Sequence, residues 1–276
     1  MTAKLDGRSA LVSGSGRGIG REIALKLASE GARIVVNDLD ADPAQETAEL
    51  IRNMGGEAVV CAGSVTEDGF ADRFIGAAVQ NFGGVDIIVN NAGYTWDTVI
   101  QKMSDEQWHA IIDVHLTAPF QILRAAQPVI SAAAKAEAAE GREVFRKVVN
   151  ISSIAGTGGN AGQINYAAAK AGIIGLTKTM AKEWGRYKVN VNAVAFGPIR
   201  TRLTEAPATG DSTIKVEGKE IRVGLNADLL SQMETSIPLG RVGTPEEAAG
   251  AVYLFCVPES DFISGQHVIC GGGFVI

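Results

Sequence analysis

The chain of 276 residues has few of the side chains that bind metals or form disulfides, with only three histidines and three cysteines. Cys61, Cys256 and Cys270 match no metal-ligand or disulfide spacing, so we expect reduced cysteines and no metal in catalysis. No run of eighteen apolar residues and no apolar signal core occurs, which predicts a cytoplasmic protein with no membrane partner. The net charge of −6 and the lack of any Lys/Arg run argue against nucleic acid as a partner.

Short β-branched runs alternate with helical patterns along the chain. They predict strands at 9–13, 33–37, 57–61, 85–89, 146–151, 188–194 and 267–270. This alternation favours right-handed crossovers, and therefore an α/β fold with a doubly wound parallel sheet of about seven strands and helices on both faces. We expect a single domain over residues 1–276, with its ligand crevice at the carboxyl ends of the strands.

A glycine-rich turn follows the first expected strand. Residues 13–20 read Ser-Gly-Ser-Gly-Arg-Gly-Ile-Gly and lead directly into a helical pattern. Glycines let the backbone approach a pyrophosphate, and the helix N-terminus supplies free N–H groups with a partial positive charge. The turn alone is weak evidence, but its position between a strand and a helix predicts a dinucleotide cradle at Gly14, Gly18 and Gly20.

The second expected strand ends at Asp38, eighteen residues after Gly20. At this distance a dinucleotide fold places the carboxylate that binds the adenosine ribose, although a simple strand-end cap is the structural alternative. The carboxylate would repel a 2′-phosphate, whereas Arg17 in the glycine turn could pair with one. We expect the carboxylate to dominate, so that NAD(H) is preferred and NADP(H) is possible.

Tyr166 and Lys170 are one helical turn apart, and Ser153 lies thirteen residues before the tyrosine. Positions i and i+4 share a helix face, so the ammonium is expected to lower the pKa of the phenol from its reference value of about 10. The pair would then act as a tuned proton donor. A Tyr-x-x-x-Lys pattern by itself is more often structural. The neighbouring motifs favour the catalytic interpretation here.

Together these motifs resemble the short-chain dehydrogenase/reductase family over nearly the whole chain. The glycine turn, the Asn-Asn-Ala-Gly sequence at 90–93 and the order of Ser153, Tyr166 and Lys170 match the family pattern. Within the family, the sequence Asn-Tyr-Ala-Ala-Ala-Lys-Ala-Gly from residue 165 is most similar to 3-oxoacyl thioester reductases. The resemblance implies a Rossmann-type fold and reversible hydride transfer between a nicotinamide ring and a carbonyl carbon.

The resemblance also implies a role for each site residue. Ser153 polarises the carbonyl, Tyr166 protonates its oxygen, and Lys170 lowers the phenol pKa and binds the nicotinamide ribose. Strand alternation turns Ser152 the other way, and the thirteen-residue interval selects Ser153. The expected cofactor-binding positions are Gly14, Arg17, Gly18, Ile19, Gly20, Asp38, Ser64, Val65, Asn91, Ala92, Gly93, Tyr166, Lys170, Gly197, Ile199 and Thr201.

Three positions depart from the family pattern. His115 stands where the family usually has an Asn that completes the catalytic group and holds a water next to the lysine. An imidazole could hold that water or titrate near neutral pH, and a purely structural histidine is the alternative. Ser64 replaces the adenine-binding Asp, and Phe196 replaces a proline, where it either reshapes the pocket or packs in the core.

Two segments extend beyond the family pattern. Residues 131–141 are rich in Ala, Lys and Glu, which predicts a solvated helix extension. Residues 212–223 alternate polar and apolar residues around Glu-Gly-Lys, which predicts a β-hairpin. We interpret it as part of a substrate-lid insertion around 200–240, with a surface ornament or subunit contact as the alternative.

Three functions are consistent with these motifs. The first is a reductase of 3-oxoacyl thioesters carried on acyl carrier protein or coenzyme A. The second is an NAD-dependent dehydrogenase of a free secondary alcohol, such as a steroid, a cyclic alcohol or a diol. The third is a nucleotide-binding protein without turnover. Family resemblance implies a homo-oligomer, usually a tetramer.

Overall fold

A parallel sheet of seven strands forms the centre of this computed structural model, which describes residues 3–201, 212–216, 218–223 and 234–274. The strands in chain order are β1 Ser9–Val12, β2 Arg33–Val36, β3 Ala58–Val60, β4 Ile87–Asn90, β5 Arg146–Ser153, β6 Val189–Phe196, β7 Ser212–Val216, β8 Lys219–Val223 and β9 His267–Cys270. The order across the large sheet is β3-β2-β1-β4-β5-β6-β9. All seven expected strands are confirmed, and the reversal of strand order falls between β1 and β4, where such folds bind ligands.

Helices cover both faces of the sheet. They are α1 Gly18–Ser29, α2 Ala41–Asn53, α3 Phe70–Phe82, α4 Asp105–Ile112, α5 Ala118–Ala139, α6 Ile154–Gly158, α7 Ile164–Trp184 and α8 Pro245–Tyr253. Successive residues of a strand point to opposite faces of the sheet, so they pack into two separate cores. In β1, Val12 packs into the core under α1, α2 and α8, whereas Leu11 packs into the core under α3, α5 and α7.

Local signals in the sequence determine several helix ends. α4 and α8 each begin with a capping box, formed by Ser104 with Gln107 and by Thr244 with Glu247. The hairpin expected at 212–223 is present as antiparallel β7 and β8. Most of the remaining segment assigned to a lid, at 202–211 and 224–233, lies outside the described residues.

The extension of α5 differs from the expectation of a solvated helix at one position. Glu137 accepts two hydrogen bonds from Arg146, at 2.8 and 2.7 Å, and the guanidinium is almost completely buried. Arg146 also donates to the Val85 carbonyl. Most of the extension is exposed, as expected, and Glu137 differs because composition does not show which side of a helix faces a buried cation. The extension therefore anchors α5 to the start of β5.

Candidate active site

The glycine-rich turn connects β1 to α1 with very little space around its backbone. A Cβ at Gly14 would lie 2.7 Å from the Ala92 Cα, and one at Gly20 would collide with the Gly14 carbonyl. In contrast, no atom outside the neighbouring residues of the same helix lies within 4 Å of a Cβ position at Gly18, where α1 begins. Arg17 makes no side-chain cap, so the first N–H groups of α1 have no side-chain acceptor from their N-cap residue. This open helix N-terminus fits the pyrophosphate of a dinucleotide.

The Asn-Asn-Ala-Gly sequence after β4 holds the turn in place. Asn91 donates through Nδ2 to the carbonyls of Ser13, at 2.9 Å, and Gly14, at 3.1 Å. The Ser13 hydroxyl accepts from the N–H groups of Asn91 and Ala92. Three of the positions predicted to bind cofactor are therefore joined in one network. Asn91 and Ala92 are structural supports of the glycine turn in this structure.

Asp38 lies at the end of β2 and also contacts the turn. Its Oδ2 accepts from the Gly16 N–H and its Oδ1 from the Asp40 N–H, both at 3.2 Å. A Cβ at Gly16 would lie 2.5 Å from that Oδ2, which explains the glycine. The Arg17 guanidinium lies 3.9 Å from Asp38 and 2.9 Å from Asp40. The structure thus places both predicted charges of the ribose site together.

Asn37, which precedes Asp38 and is buried, was not among the predicted site residues. Its Oδ1 accepts from the Gly14 N–H at 3.1 Å, and its Nδ2 donates to the carbonyls of Cys61 and Gly63. One amide therefore connects the ends of β1, β2 and β3. The available signal was a polar residue at the end of an otherwise apolar strand.

Ser153, Tyr166 and Lys170 converge where β5 ends and α7 begins. The Ser153 hydroxyl lies close enough to the Tyr166 hydroxyl to lower the pKa of the phenol. The Lys170 ammonium donates to the Ile151 carbonyl at 2.7 Å and lies 5.5 Å from the centre of the Tyr166 ring. Ser152 points away and donates to the Lys170 carbonyl at 2.8 Å, as strand alternation predicts.

Burial dominates the electrostatics of this site. Desolvation raises the pKa of Tyr166 to about 12, with a smaller increase from Asp97 and a decrease from the Ser153 hydrogen bond. Desolvation also lowers the pKa of Lys170 to about 7. The predicted lowering of the phenol pKa by the ammonium is therefore wrong for this structure. Helical spacing places the two side chains together, but it does not show that both are buried, and burial disfavours the charged form of each.

His115 lies on a π-helical turn, Asp113–Thr117, between α4 and α5. Its Nε2 lies 2.7 Å from the Tyr94 carbonyl, which can only accept, so Nε2 carries the proton. Nδ1 is buried without a hydrogen-bond partner among the described residues, and the ring meets the Tyr166 ring edge-on at 5.0 Å. Burial, followed by the charge of Lys170, lowers the His115 pKa well below its usual range. Of the roles open to this imidazole, titration near neutral pH does not agree with the lowered pKa.

A second missed residue is Asn165, which is completely buried beside Tyr166. Its Nδ2 donates to the carbonyls of Trp96, at 3.3 Å, and Gln107, at 3.1 Å, while its Oδ1 accepts from the Tyr166 N–H. These bonds tie α4 and the segment after β4 to the first turn of α7. The tyrosine is thus held by a neighbour whose role the motif alone did not indicate.

The other predicted cofactor positions lie along the same edge of the sheet. Ser64 shares a hydrogen bond of 2.8 Å with Thr66, in the turn after β3. A Cβ at Gly197 would lie 2.7 Å from the Gly271 Cα. Phe196 is buried in the core under α1, which favours its packing interpretation. Of the remaining positions, Val65 and Ile199 are buried, whereas Ile19 and Thr201 are half-buried.

Comparison with known proteins identifies the family. A family model described as enoyl-(acyl carrier protein) reductase matches residues 14–275. The sequence is 40% identical to a 3-oxoacyl-[acyl-carrier-protein] reductase of Synechocystis sp., over 100% of both chains. This chain belongs to the short-chain dehydrogenase/reductase family. It is therefore an oxidoreductase that depends on a nicotinamide cofactor.

Solved structures of family members agree with this assignment. A gluconate 5-dehydrogenase from Burkholderia cenocepacia, in complex with NADP and tartrate, matches with a TM-score of 0.84 and 30% identity, over 99% of this chain and 97% of the other. A short-chain type dehydrogenase/reductase from Mycobacterium marinum matches with a TM-score of 0.82 and 26% identity, with the same coverage. Among the described residues, no helix could span a membrane and no acidic, His or Cys cluster could hold a metal.

Proposed function

We propose that this oxidoreductase reduces the 3-oxo group of an acyl thioester carried on acyl carrier protein or coenzyme A. The convergence of Ser153, Tyr166 and Lys170 beside an open glycine turn carries the proposal. The name and full-length similarity of the Synechocystis reductase support the choice of substrate. We further propose a single domain with a lid around 200–240 and, from the family resemblance, a homotetramer.

In the reductive direction, Ser153 and Tyr166 bind the carbonyl oxygen through the two hydroxyls that face each other in the site. A bound nicotinamide cofactor supplies the hydride that the carbonyl carbon accepts. Tyr166 gives its phenolic proton to the oxygen as negative charge develops there. A phenol with a pKa of about 12 carries its proton at neutral pH, which is the form that a proton donor requires.

Lys170 is proposed to bind the nicotinamide ribose and to pass on protons. Its ammonium donates one hydrogen bond to the Ile151 carbonyl, and its other N–H groups can donate to a ribose hydroxyl. His115 is proposed as a positioning residue in place of the family Asn. Because its neutral ring has an acceptor at Nδ1 with no partner among the described residues, it can hold a water next to Lys170.

We propose NAD(H) as the preferred cofactor because Asp38 is fixed at the ribose site by two backbone N–H groups. A phosphate charge 4 Å away would be repelled by about 4 kcal/mol at an effective dielectric of 20, before screening. Measurement of initial rates with NADH and NADPH tests this proposal. A clear preference for NADPH would contradict it.

A free secondary alcohol is the second candidate substrate, because the Burkholderia relative is named a gluconate 5-dehydrogenase. A panel of acetoacetyl-CoA, cyclic and steroidal ketones, and gluconate with NAD separates the two candidates. We expect reduction of acetoacetyl-CoA to be the fastest. Retained NADH binding without any turnover would instead favour a non-catalytic protein.

Three substitutions test the assigned chemistry on whichever substrate is turned over. Tyr166→Phe should lower kcat by about a thousand-fold, because the proton donor is lost. Ser153→Ala should lower kcat by about a hundred-fold, whereas Ser152→Ala should mainly affect stability, since its hydroxyl bonds a helix carbonyl. If Ser152→Ala were inactive and Ser153→Ala fully active, the assignment of the polarising group would be reversed.

A further inference from the structure

Asp40 uses its side chain in an unusual way for its position. It is the N-cap residue of α2, where an aspartate ordinarily accepts a hydrogen bond from the first turn of the helix. Here the side chain makes no such bond. Its Oδ2 instead accepts from Arg17 Nη1 at 2.9 Å, across the ribose end of the glycine turn. The carboxylate thus holds a cation of the turn and leaves its own helix uncapped.

Arg17 is the cation that a 2′-phosphate on the adenosine ribose would need. It lies between two carboxylates, 2.9 Å from Asp40 and 3.9 Å from Asp38, so the three groups together carry a net negative charge. The next arginine of α1, Arg21, is also engaged, by an ion pair of 3.0 Å with Glu46. A phosphate would therefore have to compete with Asp40 for the charge of Arg17.

We propose that Asp40 is a second determinant of cofactor choice, which withholds Arg17 from a 2′-phosphate and strengthens the NAD(H) preference. This inference rests on the proposed ribose site at Asp38. The two aspartates act differently, because Asp38 is expected to meet the ribose directly and Asp40 acts through the arginine. The side chains of Arg17 and Asp40 are 37% and 54% exposed, so we expect a moderate effect rather than a complete switch.

The test compares the ratio of the dissociation constants for NADPH and NADH, measured by fluorescence titration of the purified protein. Asp40→Asn keeps a good N-cap residue on α2 and removes the charge that holds Arg17. We expect the ratio to fall by about five-fold, as for the loss of an exposed ion pair. Asp40→Ser, which is also a good N-cap residue, should behave in the same way.

Two further variants separate this mechanism from a general change of charge. Asp42→Asn removes an equal charge from an exposed position two residues away, and the ratio should change by less than about two-fold. In an Arg17→Gln background, Asp40→Asn should have no effect on the ratio. The inference is overturned if the ratio does not fall in Asp40→Asn, falls equally in Asp42→Asn, or still falls without Arg17. A parent protein that prefers NADPH would contradict the proposed role of Asp38, whatever the Asp40 variants show.

Discussion

Gly93 should not tolerate even a methyl group, because the buried ring of His115 occupies the space. A Cβ at Gly93 would lie 2.5 Å from Nδ1 and 2.8 Å from Nε2 of the imidazole, and closer still to Cε1. Carbon atoms pack best at about 3.5–4.0 Å, so the ring would have to move by about 1 Å or more. It is held by the Tyr94 carbonyl on one side and meets the Tyr166 ring edge-on. Gly93→Ala should therefore displace the tyrosine or break the Tyr94 hydrogen bond.

The size of the effect follows from these contacts. Overpacking of a buried site costs about 2 kcal/mol, which lowers Tm by about 5 °C in a chain of this size. A shift of about 1 Å in a catalytic group costs about a hundred-fold in kcat. Thermal unfolding and steady-state rates of Gly93→Ala with the best substrate of the panel measure both effects.

Two controls make this test specific. Gly175→Ala introduces the same methyl group in α7, where no atom lies within 4 Å of the new Cβ, and should slightly stabilise the protein. The double variant Gly93→Ala/His115→Ala removes the obstructing ring and should recover the Tm lost on adding the methyl group. Full activity and an unchanged Tm in Gly93→Ala, or strictly additive effects in the double variant, would refute the reasoning.

Two predictions concern stability. The Lys170 pKa is about 7 in the folded protein and 10.5 when unperturbed. Between these two pH values, Lys170 is more fully protonated in the unfolded chain than in the folded protein. The contribution of Lys170 to the free energy of unfolding should therefore rise with pH from about 7 to about 10.5, and Lys170→Leu should remove this contribution in urea titrations. Glu137→Ala should cost about 3–5 kcal/mol, because it leaves the buried Arg146 unpaired, whereas Glu140→Ala, in an exposed pair, should cost less than about 1 kcal/mol. Equal losses in the two glutamate variants would contradict this interpretation.

Most of the fold could be predicted because its determinants are local in the sequence. β-branched runs, the glycine turn and two capping boxes lie where short-range rules place them. The convergence of Ser153 with Tyr166 also follows from order and spacing, since the carboxyl ends of parallel strands meet at one edge. The features that could not be predicted depend on contacts between residues on different elements of the fold. The partner of Glu137 is nine residues away on another element, and Asn37 and Asn165 act through carbonyls that no motif contains.

The error about Tyr166 indicates what the cofactor adds to the site. In this structure, burial moves the pKa values of the phenol and of Lys170 in opposite directions, so both neutral forms are favoured. A lowered phenol pKa requires a fully charged ammonium next to the tyrosine. Ribose hydroxyls that accept hydrogen bonds from Lys170 would favour its protonated form. We therefore expect the phenol pKa to fall on NADH binding.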